Sequence, residues 1–225
     1  MKVDNAISAA VQPVATGAAP EKHGSGLQAL YFYGITRAKT LRASSGDDAE
    51  GVVRIRYRDL DALTRHAAYE TPVLEEAAVL VHQRVVETAM RRGTVLPAPF
   101  GIVFRGRKQL LRVLQDQYTV LEEGLSFLDG HWELRLHISA AARGVVDVEL
   151  SDLAMQVYSE LRQGVRAAVP FPREEARLVS AAFLVEREGW LDFMKRAEDL
   201  GTQHPELSFD ITGPWPAYDF VRIRD

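Results

Sequence analysis

Eight consecutive residues, His131-Trp132-Glu133-Leu134-Arg135-Leu136-His137-Ile138, alternate without a break between polar and apolar side chains. A period of two is the repeat of a β-strand and not of a helix, so Trp132, Leu134, Leu136 and Ile138 must share one face. A second run, Val53-Arg54-Ile55-Arg56-Tyr57-Arg58, does the same. It points Val53, Ile55 and Tyr57 inward and three arginines outward. Strands with one apolar and one polar face are typical of antiparallel sheets. The chain must therefore contain half-buried sheet.

The remaining patterns fit around these strands. Leu30-Tyr31-Phe32-Tyr33-Gly34-Ile35 is an aromatic, β-rich run. Thr71-Pro72 gives a helix start, with Leu74, Ala78, Val81, Val85 and Ala89 as its apolar stripe and Arg91, Arg92 and Gly93 at its end. Residues 95–104 read as an extended stretch that Pro97 and Pro99 confine to a sheet edge or a bend. A long helix follows over 106–128. Its Leu111, Leu114, Tyr118, Leu121, Leu125 and Leu128 form a seam that packs onto a sheet or a neighbouring helix. Ser151 caps a helix predicted to reach Ala168, with Pro170 and Pro172 beyond it. Ala181-Ala182-Phe183-Leu184-Val185 is a buried strand, and Trp190, Phe193, Met194 and Ala197 are the inward face of a short helix. Leu207-Ser208-Phe209-Asp210-Ile211 alternates once more.

The order β, β, α, β, α, β, α, β, α, β predicts an α+β fold in two sub-domains joined through amphipathic helices. The second reads as a modified ferredoxin-like unit with one strand missing or altered. The expected divisions are an N-terminal arm over 1–27, an α+β domain over 28–129 and a ferredoxin-like domain over 130–225. The arm is rich in Ala, Gly, Pro and Ser and lacks sustained periodicity, so it reads as flexible, with a short helix over 6–14 that orders on a partner as the alternative.

Composition narrows the function. The chain of 225 residues contains no cysteine, which removes disulfides, thiolate catalysis and cysteine metal sites together. With 27 basic and 31 acidic side chains it carries a formal charge of −4, so nothing global draws it to nucleic acid. No apolar stretch is long enough to span a membrane, and the start lacks a secretory signal, so a cytoplasmic protein is expected.

No phosphate-binding glycine loop, His-Glu-x-x-His or Gly-x-Ser-x-Gly is present. His131, Glu133 and His137 lie on one strand face with suitable ligand chemistry, but Arg135 stands between them, so a solvated Glu–Arg pair is the preferred reading. His82, near an apolar stripe, reads as a buried, hydrogen-bonded histidine. Seven basic residues against one Glu between Arg84 and Arg112, with Arg54, Arg56 and Arg58, form a cationic stripe suited to an acidic protein surface. RNA binding is the weaker reading of that stripe, because Tyr57 alternates away from the arginines. Gly213-Pro214-Trp215-Pro216-Ala217-Tyr218-Asp219-Phe220 is rigid and aromatic. It either seals a core or offers contact anchors, and sealing is preferred.

Four stretches carry a resemblance: Tyr31-Phe32-Tyr33-Gly34-Ile35; Val95-Leu96-Pro97 with Phe100-Gly101-Ile102-Val103-Phe104; Ala182-Phe183-Leu184-Val185; and Gly213-Pro214-Trp215-Pro216 with Tyr218 and Phe220. In order and spacing the chain resembles the gas vesicle protein L/F family. It departs from that pattern at Ala217, Pro99 and His137. The resemblance implies a non-enzymatic accessory or minor structural protein of gas vesicle assembly, without cofactor or metal. Its implied partners are the hydrophobic main shell protein and other gas vesicle accessory proteins, and its implied location is the cytoplasm, at the vesicle. Arg54, Arg56, Arg58, Trp215, Tyr218 and Phe220 are the candidate partner-binding residues. The rival from another class is a small-ligand regulatory domain or enzyme on a ferredoxin-like sheet, which requires a deep pocket with convergent polar groups.

Overall fold

The computed structural model describes residues 4–5, 29–38, 51–70, 72–142, 148–172 and 177–223. The expected helix over 6–14 and the Thr71 cap lie outside them. Contacts divide the chain into two compact units. Residues 130–220 form one, and the chain up to Asp129, together with residues from Val221 onward, forms the other.

In the N-terminal unit the aromatic run is the central strand. β1 (Asp4–Asn5), β2 (Ala29–Arg37), β3 (Val53–Tyr57) and β4 (Leu60–Ala67) come first in the chain. α1 (Glu76–Arg92), β5 (Val95–Pro97), β6 (Val103–Phe104), α2 (Arg107–Asp116) and α3 (Tyr118–Leu128) follow. The sheet runs β3-β4-β2-β5, with β6 also on β2, and every pairing is antiparallel. β2 is buried along its first seven residues because both of its faces are covered. Tyr31 and Tyr33 meet His82 of α1, and Phe32 meets Phe104. The prolines act as the sequence predicts. Pairing stops at Pro97, and Ile102 O picks up Phe32 N–H before β6 resumes the edge.

β2 carries an irregularity between Phe32 and Gly34. Gly34 has φ +153°, and a Cβ there would stand 2.6 Å from the Leu96 carbonyl oxygen, so only glycine lets β5 approach.

Two helical expectations change. The single helix over 106–128 is two helices that meet at Gln117 (φ −106°, ψ 10°). The bend lets α2 pack on β3 and β6 while α3 packs on β5 and β2. α1 starts at Glu76, so Leu74 precedes it. Its buried face is His82, Val85, Val86 and Met90, which keeps Val85 of the predicted stripe and leaves Ala78, Val81 and Ala89 half-buried, because a hydrogen-bonded histidine is drawn into the core.

The C-terminal unit comprises β7 (His131–Ala140), α4 (Val148–Leu161), β8 (Ala167–Pro170), β9 (Val179–Glu186), α5 (Trp190–Gln203) and β10 (Leu207–Trp215). A short 3-10 turn, Tyr218–Phe220, follows β10. The sheet order is β10-β7-β9-β8, antiparallel throughout, so two β-α-β units are split and interleaved. β8 is the strand missing from the sequence reading. The helix predicted to reach Ala168 ends at Leu161, and the chain turns at Gly164 (φ +84°) into β8. Four residues ending in Pro170 show no period, and an edge strand tolerates the proline. The core forms where Leu134, Leu136 and Ile138 of β7 meet α4 and α5, with Phe183 set between Tyr158 and Phe193 at 5.8 and 5.1 Å. The final strand, β11 (Arg222–Ile223), pairs in parallel with β1 and belongs to the first unit.

Candidate functional site

The three arginines of the second alternating run do not form one face. Arg54 is exposed on β3. Arg56 Nε and Nη2 donate to Asp61 Oδ1 and Oδ2 at 2.9 and 3.0 Å, and Asp61 is itself buried. That bidentate pair holds Arg56 charged and spends its donors inside the chain. Arg58 lies past the strand end, in the turn to β4, with φ +53°. Its guanidinium stacks 4.6 Å from the Tyr118 ring centre and 5.4 Å from that of Tyr57, while Tyr118 Oη donates to Asp59 Oδ1 at 2.6 Å. Tyr57 therefore sits with an arginine, contrary to the alternation, because the turn carries Arg58 round to its ring.

The terminal aromatics fold back on their own unit. Trp215 is half-buried, and its Nε1 donates to Thr212 Oγ1 at 3.2 Å. Gly213 (φ +125°) brings the backbone so close to β7 that a Cβ would meet Leu134 at 2.8 Å and the Glu133 carbonyl at 2.9 Å. Pro216, Ala217 and Phe220 are buried, and Tyr218 is half-buried. Of the candidate contact residues, Phe220 is thus turned inward rather than presented to a partner.

Beneath this turn the Glu–Arg pair is solvated only at its arginine: Arg135 is 35% exposed, while Glu133 is buried. Glu133 is fully inaccessible. It accepts Arg135 Nε–H at 2.8 Å and the Asp219 backbone N–H at 2.8 Å, and Arg135 also donates to Asp219 Oδ2 at 2.9 Å. Loss of water and the nearby Asp219 carboxyl push the Glu133 carboxyl up to about 8, against the opposing pull of Arg135. His137 Nδ1 accepts from Arg177 Nη1 at 3.0 Å and lies 2.9 Å from Ser180 Oγ. Among the described residues no group of three His, Asp or Glu side chains converges as metal ligands would.

His82 is buried as expected, held by partners from other elements. Its Nε2 lies 3.0 Å from the Ala98 carbonyl, which only accepts, so Nε2 carries the proton. Nδ1 then accepts from Tyr31 Oη at 2.8 Å. Burial lowers the imidazole's proton affinity and raises the Tyr31 phenol to about 12, so both are neutral near pH 7. A neutral pair sealed among Tyr33 and Phe100 braces α1 against β2 and is shut off from solvent.

The features the sequence reading missed are apolar side chains in the open. Val73 and Leu74, before α1, are 70% and 78% exposed, and Leu80 on its second turn is 48% exposed. Ala77 and Leu80, three residues apart on α1, share an exposed edge of the helix. On α4, Val148 and Met155 are two turns apart and exposed, as is Leu191 at the start of α5. Of these the sequence reading places only Leu74, on the apolar stripe of a helix that begins after it.

These observations define a class: an α+β protein of two units in which Arg56–Asp61 and Glu133–Arg135–Asp219 are held in internal bonds and several large apolar side chains are exposed. Comparison with known proteins gives the family. The model for "Gas vesicle synthesis protein GvpL/GvpF" matches residues 29–148 and 138–222, and the chain belongs to that family, which acts in gas vesicle formation. Gas vesicle protein F1 of Halobacterium salinarum is 26% identical over 206 residues, spanning 87% of this chain and 93% of that protein. Gas vesicle protein F of Haloferax mediterranei is 27% identical over 203 residues, spanning 87% and 94%. The crystal structure of GvpF from Anabaena sp. superposes with a TM-score of 0.74 at 20% identity, over 88% of this chain and all of that one, and shares the fold.

Proposed function

We propose that this protein is a docking factor of gas vesicle assembly that binds the hydrophobic main shell protein and keeps it from aggregating until it is incorporated. The observation that carries this reading is the exposure of Val73, Leu74 and Leu80, in a chain of the gas vesicle family. Large aliphatic side chains in water are unfavourable unless a partner covers them, at roughly 25 cal/mol for each Å² removed from water. A shell subunit with an apolar surface supplies such a cover, and each partner shields the other.

Arg54 is a polar contact for the same partner on the N-terminal unit. On the C-terminal unit, Trp215 and Tyr218 offer half-buried aromatic anchors, and Val148 with Met155 offers a face for other accessory proteins of the vesicle. The protein acts by docking in the cytoplasm, at the growing vesicle, and makes or breaks no covalent bond. The test is co-purification of the tagged full chain with the shell protein, comparing the natural sequence with Leu74→Asp/Leu80→Asp. Capture by the natural chain and its loss in the double variant support the proposal. Equal capture by both removes the α1 edge from it, and no capture by either overturns it.

A further inference from the structure

The Glu133–Arg135–Asp219 group has an unusual charge count: two carboxyls share one guanidinium in a place where Glu133 has no access to water. Asp219 sits on the 3-10 turn, and both of its links to β7 run through this group, by its backbone N–H to Glu133 and by its carboxylate to Arg135. We propose that Glu133, Arg135 and Asp219 form a proton-dependent clasp, which holds the C-terminal turn shut while Glu133 is protonated and releases it in alkaline solution.

The charge balance sets the direction. With one proton on the carboxyl pair, Arg135 neutralises the remaining anion, and a protonated Glu133 donates to Asp219. With both carboxyls ionised, Arg135 balances only one of them, in a group whose Glu133 is fully buried and whose Asp219 is 26% exposed. Opening the turn relieves this by carrying Asp219 further into water and away from Glu133. The neighbours offer no other compensation at the carboxyl itself. Opposite Glu133 stand Leu184 of β9 and Trp215 of β10, and opposite Arg135 stand Ala182 and Thr212. The other titratable groups on this side lie further out: His131 and His137 along β7, Glu186 opposite His131, Asp210 opposite His137, and Tyr218 on the turn.

Burial and the Asp219 carboxyl push Glu133 in the closed state up to about 8, from an ordinary 4.5, so the closed turn binds more protons than the open one between those limits. Closure is thus fully favoured below about pH 4.5, weakens as pH rises through the interval, and levels off above about pH 8. Release would expose Pro216, Ala217 and Phe220, all buried in the closed turn.

The experiment is amide hydrogen exchange on the full chain, reading protection of the Asp219 and Phe220 amides from pH 6 to pH 9 after correction for intrinsic exchange. The natural chain should lose protection by up to about tenfold per pH unit until it levels off near pH 8. Glu133→Gln, which is isosteric and cannot ionise, should stay protected with a flat profile. Asp219→Asn, which keeps the backbone N–H and removes the second charge but not the burial of Glu133, should lose less protection and level off at a lower pH, and it serves if Glu133→Gln does not fold. A flat profile in the natural chain, or an undiminished slope in either variant that folds, would overturn the proposal.

Discussion

Tyr31 and His82, 51 residues apart, hold each other in the neutral state deep in the N-terminal unit. Tyr31→Phe would leave the imidazole Nδ1 unpaired, and the expected cost is about 1–3 kcal/mol of unfolding free energy in urea titration. The histidine also sets a pH dependence. Burial lowers its folded-state proton affinity below the ordinary value, so below about pH 6.5 the unfolded chain binds more protons and stability falls as the solution is acidified. The stability difference between the natural chain and His82→Gln, measured from pH 7.5 to pH 5.5, should shrink with acidification. Gly34→Ala should cost about 1–3 kcal/mol, because it adds a Cβ where the Leu96 carbonyl leaves no room. At this scale the sequence reveals little. Burial of His82 follows from its place beside an apolar stripe, but its bonding partners are a distant tyrosine and a main-chain carbonyl, and no local pattern encodes either.

Among the elements, strands were more legible than helices. Period two survives in β7 from Leu134 to Ile138, and β9 is the continuously buried strand its apolar run predicts, flanked by β7 and β8. β8 was invisible, since four residues cannot display a period. The leucine seam over 106–128 was real, with Leu114, Leu121, Leu125 and Leu128 buried, yet its regular spacing concealed the bend at Gln117. α2 has a further consequence for stability. It opens with Arg107 and Lys108, has no acid in its first turn and no side-chain cap, so two cations face the positive end of its dipole. Lys108→Glu should therefore stabilise the protein by about 0.3–1 kcal/mol at low salt, an increment that thermal unfolding in 0.5 M salt should largely erase.

For the whole molecule, the α+β class and the presence of two sheets could be read from alternation alone. The exposed apolar residues at the start of α1 could not. Whether Val73 and Leu74 are core or surface depends on where α1 begins, and Thr71-Pro72 pointed to a start four residues earlier than Glu76. The terminal aromatics read as sealing a core or offering anchors, and the segment divides: Pro216, Ala217 and Phe220 are buried, while Trp215 and Tyr218 are half-buried. Arg56 and Arg58 likewise proved to be engaged with Asp61 and with Tyr57 and Tyr118. Among the side chains that face water are the aliphatic ones of Val73, Leu74 and Leu80, and under the proposed function these are what a shell subunit would cover. Because Leu74 and Leu80 are exposed, their replacement by aspartate should change stability by no more than about 0.5 kcal/mol, so a lost function would not be a lost fold. The decisive measurement is light scattering by the shell protein as it is diluted from denaturant, alone, with this protein, and with Leu74→Asp/Leu80→Asp. The natural chain should suppress scattering at near-stoichiometric ratio and the double variant should not; scattering that rises equally in all three would contradict the account.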